Sequence, residues 1–311
     1  MTRAAAFEQL RPLLFAIAYR ILGSVTEAED AVQETWLRWD ASATLPASTK
    51  AFLSAVVTRI SIDVLRSARA QRETYVGAWL PEPLLSDPYE DPVHAAELAD
   101  SLSTAVLLLL ERLSPLERAV FVLRDVFGFE FAEIAPAVGR SEVACRQLAV
   151  RARHHMDSGR PRFEADRAER DALAARFFDA LRDGNVEQLR QLLAADVLAI
   201  GDSGGKAPAL AKSVTGAEKV ARVLASIFSR LMAIDATVQP REINGQPGAI
   251  VRDREGKIIN TVTIDVLGGQ IQAIRFMLSP DKLAHLGPVA DPWAIAREAT
   301  QVRRRDERPR R

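Results

Sequence analysis

The hydrophobic positions at the start of the chain recur at helical spacing. From Phe7 to Ile21 apolar residues stand three or four apart, and the run stops at Gly23, as expected for one helix with an apolar face. A capping-box pattern at Thr26 predicts a second helix. A third, over about 50–72, has an apolar side and a basic C-terminal end. We therefore expect an all-helical domain over residues 1–73.

The next segment, 74–105, contains a proline-rich linker and a lead-in helix. Four prolines and a glycine fall within the twenty residues YVGAWLPEPLLSDPYEDPVH, a composition that excludes a continuous helix or a central strand. Its Tyr75, Trp79, Leu80 and Leu84 are too apolar for a solvated tether. The linker is thus expected to lie against another surface.

Helical periodicity returns over 106–163 and is interrupted by glycine turns. Ser114 and Pro115 mark a helix start; a short helix then ends at Gly139, and Ser141 begins a longer one. Helix, glycine turn and helix in this order predict a helix-turn-helix.

Residues 164–285 are predicted to form an α+β domain in which a sheet curls around helices. Helical patterns come first, over about 167–182, 186–193 and 215–231. Strand patterns follow over 236–243, 249–253, 258–266 and 271–277, separated by the turn sequences NGQPG, REGK and LGGQ. The remaining segment, 286–311, is interpreted as a basic tail, and its end, RRRDERPRR, is expected to be disordered.

Composition narrows the function classes. The 311 residues include 41 basic and 41 acidic side chains, so the chain is no polycation and its charge must be examined by segment. A lone Cys145 cannot form an intrachain disulfide, which indicates a reducing cytoplasm. The apolar run Ala105–Leu110 is too short to cross a membrane. No membrane partner, metal site or cofactor is expected.

The helix-turn-helix is the strongest candidate for DNA binding. We expect base contacts from Arg140, Ser141, Arg146 and Gln147, because they lie at the N-terminal end of the second helix. Phosphate contacts are expected from Arg151 and Arg153. The alternative is a packed helical hairpin with a solvated basic face.

The first domain offers two further surfaces. The basic end of the third helix, with Arg59, Arg66, Arg69 and Arg72, could cover phosphates beside an opened strand. Trp36, Trp39 and Phe52 are candidates for stacking on unpaired bases, although Trp36 is expected to be buried. The acidic face of the second helix suits a basic protein partner; it carries Glu27, Glu29, Asp30 and Glu34.

Several sequence stretches closely resemble regions 2 and 4 of extracytoplasmic-function sigma factors. These are AEDAVQETWLRW, VVTRISIDVLRSAR and LSPLERAVFVLRDVFGFEFAEIAPAVGRSEVACRQLAVRAR. With YVGAWLPEPL, GDSGGK and SPDKL, the chain resembles the SigJ-like group, which carries a C-terminal SnoaL-like domain. The resemblance implies two all-α sigma domains, region 2 as a helical bundle and region 4 as a helix-turn-helix, followed by a C-terminal α+β SnoaL/NTF2-like cone.

The resemblance also implies partners and a function. Such a factor would bind core RNA polymerase, recognise the −35 and −10 promoter elements and promote DNA opening. Asp30, Gln33 and Glu34 would dock on the clamp helices of the large subunit, and region 4 would lie near the −35-side flap. Residues 39–72 would open the −10 element, and residues 141–153 would read the −35 element. Arg59 stands where many of these factors have asparagine.

We expect the C-terminal domain to modulate this activity in cis by packing on the linker and on regions 2 and 4. The linker residues concerned are Tyr75, Trp79, Pro81 and Pro83. The domain residues expected to meet them are Asp202, Gly204, Gly205, Lys206, Pro280, Asp281, Lys282 and Leu283. SnoaL-like folds enclose a cavity, so a small ligand there is possible.

Two other function classes remain open. A one-component regulator would bind DNA through the helix-turn-helix under control of a ligand, without polymerase, and would not need the first 73 residues. An enzyme fused to a DNA-binding module would need a catalytic pair. Asp202, Lys206, Asp265 and His285 are the polar residues available, but turn, surface or structural positions explain each of them. No enzymatic activity is therefore expected.

Overall fold

The structure is a computed structural model. It describes residues 2–43, 46–72, 75–91, 98, 101–157, 167–208 and 213–306, without the side chains of 68–72 and 302–306. The chain forms two compact units. One combines Met1–Thr74 with Ser86–Arg160, and the other combines Tyr75–Leu85 with Pro161–Arg311. Among the described residues, no helix combines the length and apolarity needed to span a membrane.

The first unit is helical throughout its described elements. Its helices are α1 (Arg3–Leu22), α2 (Val25–Ala41), α3 (Thr49–Arg72), α4 (Thr104–Leu110), α5 (Pro115–Phe121), α6 (Phe131–Val138) and α7 (Glu142–Asp157), with a π-helical turn at Val122–Val126 after α5.

Local capping explains the helix boundaries of this unit. Gly23 ends α1 with φ 70°, a left-handed conformation that favours glycine. Ser24, rather than the predicted Thr26, caps α2 through its hydroxyl. Ser114 and Glu117 form a reciprocal capping box at the start of α5. Gly139 then ends α6 with φ 65°, which turns the chain into α7.

Two buried arginines tie the N-terminal helices to the later ones. The guanidinium of Arg20 is buried and donates to Ser101 Oγ at 2.8 Å, Asp87 Oδ2 at 2.7 Å and the Leu98 carbonyl at 3.0 Å. Arg118 donates to the carbonyl of Ile21 at 2.7 Å. These charge-assisted bonds satisfy cations that would otherwise be costly to bury.

The second unit contains one six-stranded sheet and several helices. Its elements are α8 (Arg167–Arg182), α9 (Val186–Leu192), β1 (Leu193–Asp202), β2 (Val214–Thr215), α10 (Ala217–Met232), β3 (Thr237–Ile243), β4 (Gln246–Arg252), β5 (Ile258–Leu267), β6 (Gln270–Met277), α11 (Pro280–Leu283) and α12 (Pro292–Asp306). The strand order is β2-β1-β6-β5-β4-β3, with β1 parallel to β6 and the other pairs antiparallel.

The core of this unit lies between the sheet and the helices. Phe177 and Phe178 of α8 and Phe228 of α10 are almost completely buried, and they belong to one apolar cluster with residues of β5 and β6. The predicted α+β class and the meander of the last four strands are confirmed, but the helices do not all come first, because β1 and β2 precede α10. Strands β1 and β2 were not predicted, because β1 follows α9 without a turn residue between them.

The predicted tail boundary at residue 285 is wrong. Helix α12 lies beyond it, and Ala299 of this helix is 7% exposed and belongs to the core cluster. Ala290 is also buried, and its N–H bonds to the Ile258 carbonyl at 2.9 Å. Residues 303–306 of the predicted disordered stretch are helical, and 307–311 lie outside the described residues.

Candidate functional site

The carboxylate of Asp202 is the centre of a linker-binding site in the second unit. It lies at the end of β1 and is fully buried. Its Oδ1 accepts from the hydroxyl of Tyr75 at 2.5 Å and from the N–H of Gly204 at 3.0 Å. Its Oδ2 accepts from the N–H of Leu80 at 2.8 Å. A single side chain thus bonds to two separate points of the linker.

Lys282 of α11 completes this site with the opposite charge. Its Nζ lies 2.7 Å from Asp202 Oδ2 and donates to the carbonyl of Leu80 at 2.6 Å. It also lies over the rings of Tyr75 and Trp79, 4.8 and 4.5 Å from their centroids. The buried carboxylate is therefore paired, and the aromatic linker side chains enclose its partner through cation–π contacts.

The hairpin between β3 and β4 holds the other end of the linker. Asn244 and Gly245 form a two-residue turn with φ 53° and 66°, the geometry that Asn-Gly favours. The Oδ1 of Asn244 accepts from Leu84 N–H at 3.1 Å, and the N–H of Asn244 donates to the Leu84 carbonyl at 2.7 Å. His285 Nε2 lies 2.8 Å from the Pro83 carbonyl. Sequence analysis missed Asn244 in this role and gave none to His285.

The two glycines of GDSGGK leave room for the linker. Gly204 has φ 56°, and a Cβ there would lie 3.0 Å from the Tyr75 hydroxyl oxygen. Gly205 has φ 73°, and its Cβ would lie 3.2 Å from Cβ of Val76. Both positions therefore combine left-handed backbone with a close approach that a larger residue would obstruct.

The remaining predicted linker-site residues lie around this centre. Pro81, Pro83 and Leu283 are buried, and Pro280 starts α11. Lys206 pairs with Asp281 at the exposed edge. Burial raises the pKa of Tyr75 far above its ordinary value of 10.0, and the hydrogen bond to Asp202 raises it further. The Tyr75 hydroxyl is thus protonated at neutral pH and donates its hydrogen bond to Asp202.

The predicted DNA-reading residues share an exposed part of the first unit. Arg140, Ser141, Arg146, Gln147, Arg151 and Arg153 are all exposed. Ser141 caps α7 by accepting from the N–H of Ala144 at 3.2 Å. Three of the arginines form ion pairs here, Arg146 with Glu142, Arg151 with Glu117 and Arg153 with Asp125, at 2.8, 3.0 and 2.6 Å.

Two valines extend this surface and were missed by sequence analysis. Val143 and Val150 are each 63% exposed. With Arg146 and Gln147 they follow the i, i+3, i+4, i+7 spacing of one helix face. Exposed aliphatic side chains on such a face suit contact with thymine methyl groups. The available signal was their position between the polar residues of α7.

The candidate arginines of α3 have different hydrogen-bond partners. Arg59 is exposed and donates to the Pro136 carbonyl of α6, whereas Arg66 pairs with Asp63 on its own helix at 3.2 Å. The side chains of Arg69 and Arg72 lie outside the described residues.

Trp36 and Trp39 have the opposite exposure to that predicted. Trp39, assigned to DNA, is only 3% exposed and packs on Phe52 with ring centroids 5.5 Å apart. The guanidinium of Arg3 covers its ring at 4.9 Å. Trp36, expected to be buried, is partly exposed beside Phe7. In this conformation Trp39 supports the helix packing and is not available for a base.

The candidate polymerase-binding surface of α2 contains residues that are exposed and residues that form ion pairs within the first unit. Asp30 and Gln33 are exposed, while Glu34 bonds to Arg38 one turn later at 2.7 Å. Glu29 pairs with Arg11 of α1. These pairs are exposed and weak, so a partner can replace them at small cost.

Comparison with known proteins identifies the two helical segments. The family model "Sigma-70 region 2" matches residues 6–71, and "Sigma-70, region 4" matches residues 103–156. The chain is 38% identical over 285 residues to the ECF RNA polymerase sigma factor SigJ of Mycobacterium tuberculosis, covering 89% of this chain and 91% of that one. It is 29% identical over 283 residues to the probable ECF RNA polymerase sigma factor SigI of the same species, covering 90% of this chain and 94% of that one.

A solved structure gives the same result for the fold. The crystal structure of M. tuberculosis SigJ aligns with a TM-score of 0.70 at 35% identity, covering 90% of this chain and 98% of that one. The expected architecture of two helical sigma domains followed by a C-terminal α+β domain is thereby confirmed. The chain belongs to the extracytoplasmic-function RNA polymerase sigma factors, which direct promoter recognition in transcription initiation.

Proposed function

We propose that the C-terminal domain regulates this sigma factor in cis by holding the linker between regions 2 and 4. The observation that carries the proposal is the buried Asp202 carboxylate, which bonds to Tyr75, Leu80 and Lys282. A carboxylate without these partners would be costly to bury. The site is therefore complementary to the docked linker rather than to solvent.

Holding the linker restricts the two regions that it joins. The matched regions end at residue 71 and begin again at residue 103, and residues 75–85 belong to the C-terminal unit. Docking shortens the part of the tether that is free to move, and so limits the separations available to the two regions. If polymerase binding requires a separation that the docked linker does not permit, these contacts favour the unbound state.

The docking roles on polymerase and promoter are those that the resemblance to sigma factors implies, and the exposure of the residues concerned supports them. Asp30, Gln33 and Glu34 form the surface for the clamp helices of the large polymerase subunit, and region 4 lies at the −35-side flap. The exposed face of α7 reads the −35 element, and α3 acts on the −10 element. This role is non-enzymatic and is exercised with polymerase in the cytoplasm. A small molecule in the C-terminal domain would add a further level of control.

Reconstituted transcription tests both parts of the proposal. Core RNA polymerase with this protein should initiate from a promoter identified by start-site mapping. DNA binding without initiation would instead favour the one-component regulator. We expect Asp202→Asn and Lys282→Met to raise the transcript yield at least three-fold when the factor is limiting, because the linker is released.

Glu255→Gln and Lys257→Met provide the matched controls. These residues form an exposed ion pair of the same unit, with N···O 2.7 Å, and their hydrogen bonds and ion pairs among the described residues do not involve the linker. Yields equal to wild type in the Asp202 and Lys282 variants would contradict regulation through the linker and leave the sigma activity intact. A lower yield would show that the docked linker supports initiation, contrary to the stated direction.

A further inference from the structure

The C-terminal unit contains a cavity of about 340 Å³ between the sheet, α10 and α12. Its walls are mostly apolar and include Leu224, Phe228, Ile259, Phe276, Ile295 and Ala299. The volume falls at the lower end of the range of roughly 300–1,000 Å³ found for ligand pockets. Helix α12, which the sequence analysis placed in the tail, forms one wall.

A buried amide supplies a polar group in this wall. Asn260 of β5 lines the cavity and is 5% exposed. Its Oδ1 has no hydrogen-bond partner among the described residues. A buried amide in this state is destabilising. The amide is thus one of the few polar side chains in the lining.

The cavity also has a cationic residue and no acidic one among its described lining residues. The side chain of Arg230 is partly exposed, and its Nε donates to the Ser226 carbonyl at 2.9 Å. This bond fixes the side chain near α10 and leaves the terminal nitrogens of the guanidinium for another acceptor. Arginine favours planar anions such as carboxylates, which it can bind with two parallel hydrogen bonds.

We propose that this cavity binds a small amphipathic organic anion, with its apolar body between α10 and α12 and its acidic group at Arg230. This inference deepens the ligand part of the proposed function and rests on it only there. The binding test below needs neither polymerase nor promoter, so its failure is distinguishable from failure of the sigma activity or of the linker mechanism.

The position of the cavity connects it with the linker site. Gly201 lines the cavity, and the next residue, Asp202, binds the linker. Leu278 also lines it, and its N–H donates to the Asp202 carbonyl at 2.7 Å. A molecule in the cavity therefore contacts the strand ends that position Asp202. Any effect of occupancy on the linker would act both ways, as thermodynamic linkage requires.

Two fluorescent probes test the proposal on the full chain. 8-Anilinonaphthalene-1-sulfonate combines an apolar aromatic body with an anionic group, and N-phenyl-1-naphthylamine has the same body without the sulfonate. We expect both probes to bind wild type, the sulfonate more tightly. In Arg230→Gln the affinity for the sulfonate should fall at least five-fold, while that for the neutral amine stays within two-fold.

Filling the cavity should remove both probes. In Ala296→Trp, a substitution on the wall formed by α12, we expect at least ten-fold weaker binding of each probe. Arg222→Gln and Arg297→Trp are the controls, because both arginines are exposed on the same two helices and do not line the cavity. Circular dichroism and thermal unfolding establish that each variant is folded.

The outcomes separate clearly. Undiminished binding of both probes to folded Ala296→Trp would overturn the cavity as their site, as would the absence of binding to wild type. An equal loss of the two probes, or no loss of the sulfonate, in Arg230→Gln would overturn the anionic part of the proposal. The Arg230 test uses a partly exposed side chain, so it remains decisive if Ala296→Trp does not fold.

Discussion

Arg59 of α3 donates two hydrogen bonds to the carbonyl oxygen of Pro136 in α6, at 3.2 Å from Nε and 2.5 Å from Nη2. A residue assigned to the −10 element by sequence is thus engaged by α6, the helix that precedes α7, which we propose reads the −35 element. Both belong to the first unit. While this contact persists, these nitrogens of Arg59 are not available to a DNA phosphate.

Removing this contact should loosen α6. A hydrogen bond from a charged group at an exposed site contributes about 1 kcal/mol, so we expect Arg59→Ala to speed amide hydrogen exchange in α6 by up to about five-fold. Arg66→Ala is the control, since Arg66 bonds only to Asp63 of its own helix among the described residues. Equal exchange in α6 of wild type and Arg59→Ala would show that the contact contributes nothing.

The buried Arg20 makes the first unit sensitive to its acidic partner. Asp87→Ala leaves the guanidinium of Arg20 without its carboxylate, and breaking a buried ion pair costs about 3 kcal/mol. We expect a loss of this order in the free energy of unfolding, measured by urea titration. Asp63→Ala, which removes an exposed ion pair with Arg66, should cost less than about 0.5 kcal/mol. A similar effect of the two substitutions would contradict the burial argument.

Tyr75 should remain protonated in alkaline solution. Burial, followed by the hydrogen bond to Asp202, raises its pKa far above 10.0, whereas the unfolded chain titrates near 10. The stabilising contribution is therefore complete below pH 10 and decreases as the pH rises toward the folded-state pKa. Up to pH 11, wild type and Tyr75→Phe should form the same amount of phenolate, measured by absorbance at 295 nm. One phenolate fewer in the variant would refute the assignment.

Two residues of α7 should affect promoter binding differently. Gln147 is exposed on the face that carries Val143. Gln147→Ala should weaken binding to promoters that carry the preferred base by about 1–3 kcal/mol and leave binding to promoters with another base at that position unchanged. Arg153→Ala should weaken binding to all sequences and lower the salt dependence by about one released counterion. Binding of holoenzyme to promoter variants at several salt concentrations distinguishes these effects. A uniform loss in Gln147→Ala would contradict base reading.

Local signals made the helices and the meander predictable. The N-cap at Ser114 and the Asn244-Gly245 turn act over three or fewer residues, so the sequence alone predicts them. The linker site was predictable in outline, because apolar residues among prolines require a surface. Its centre at Asp202 and Lys282 was among the expected residues.

The errors concern information that is not local. Trp36 and Trp39 lie three residues apart on α2, and helical spacing cannot tell which of them the neighbouring helices cover. Strand β1 pairs with β6, the last strand of the sheet, so its stabilising partner is distant in sequence. Helix α12 was excluded from the domain because its charged end outweighed the apolar residues that enter the core. Asn244 was visible as a turn residue, but its second role depends on where the linker lies.

The linker is bound largely through its peptide groups. Asp202 and Lys282 bond to the N–H and carbonyl of Leu80, and Asn244 bonds to both groups of Leu84. Peptide groups are common to nearly all amino acids, so this mode of recognition tolerates substitution along the linker wherever the side chain fits. Relatives can thus diverge in these positions during evolution and still keep the docked segment, provided that the residues receiving it persist.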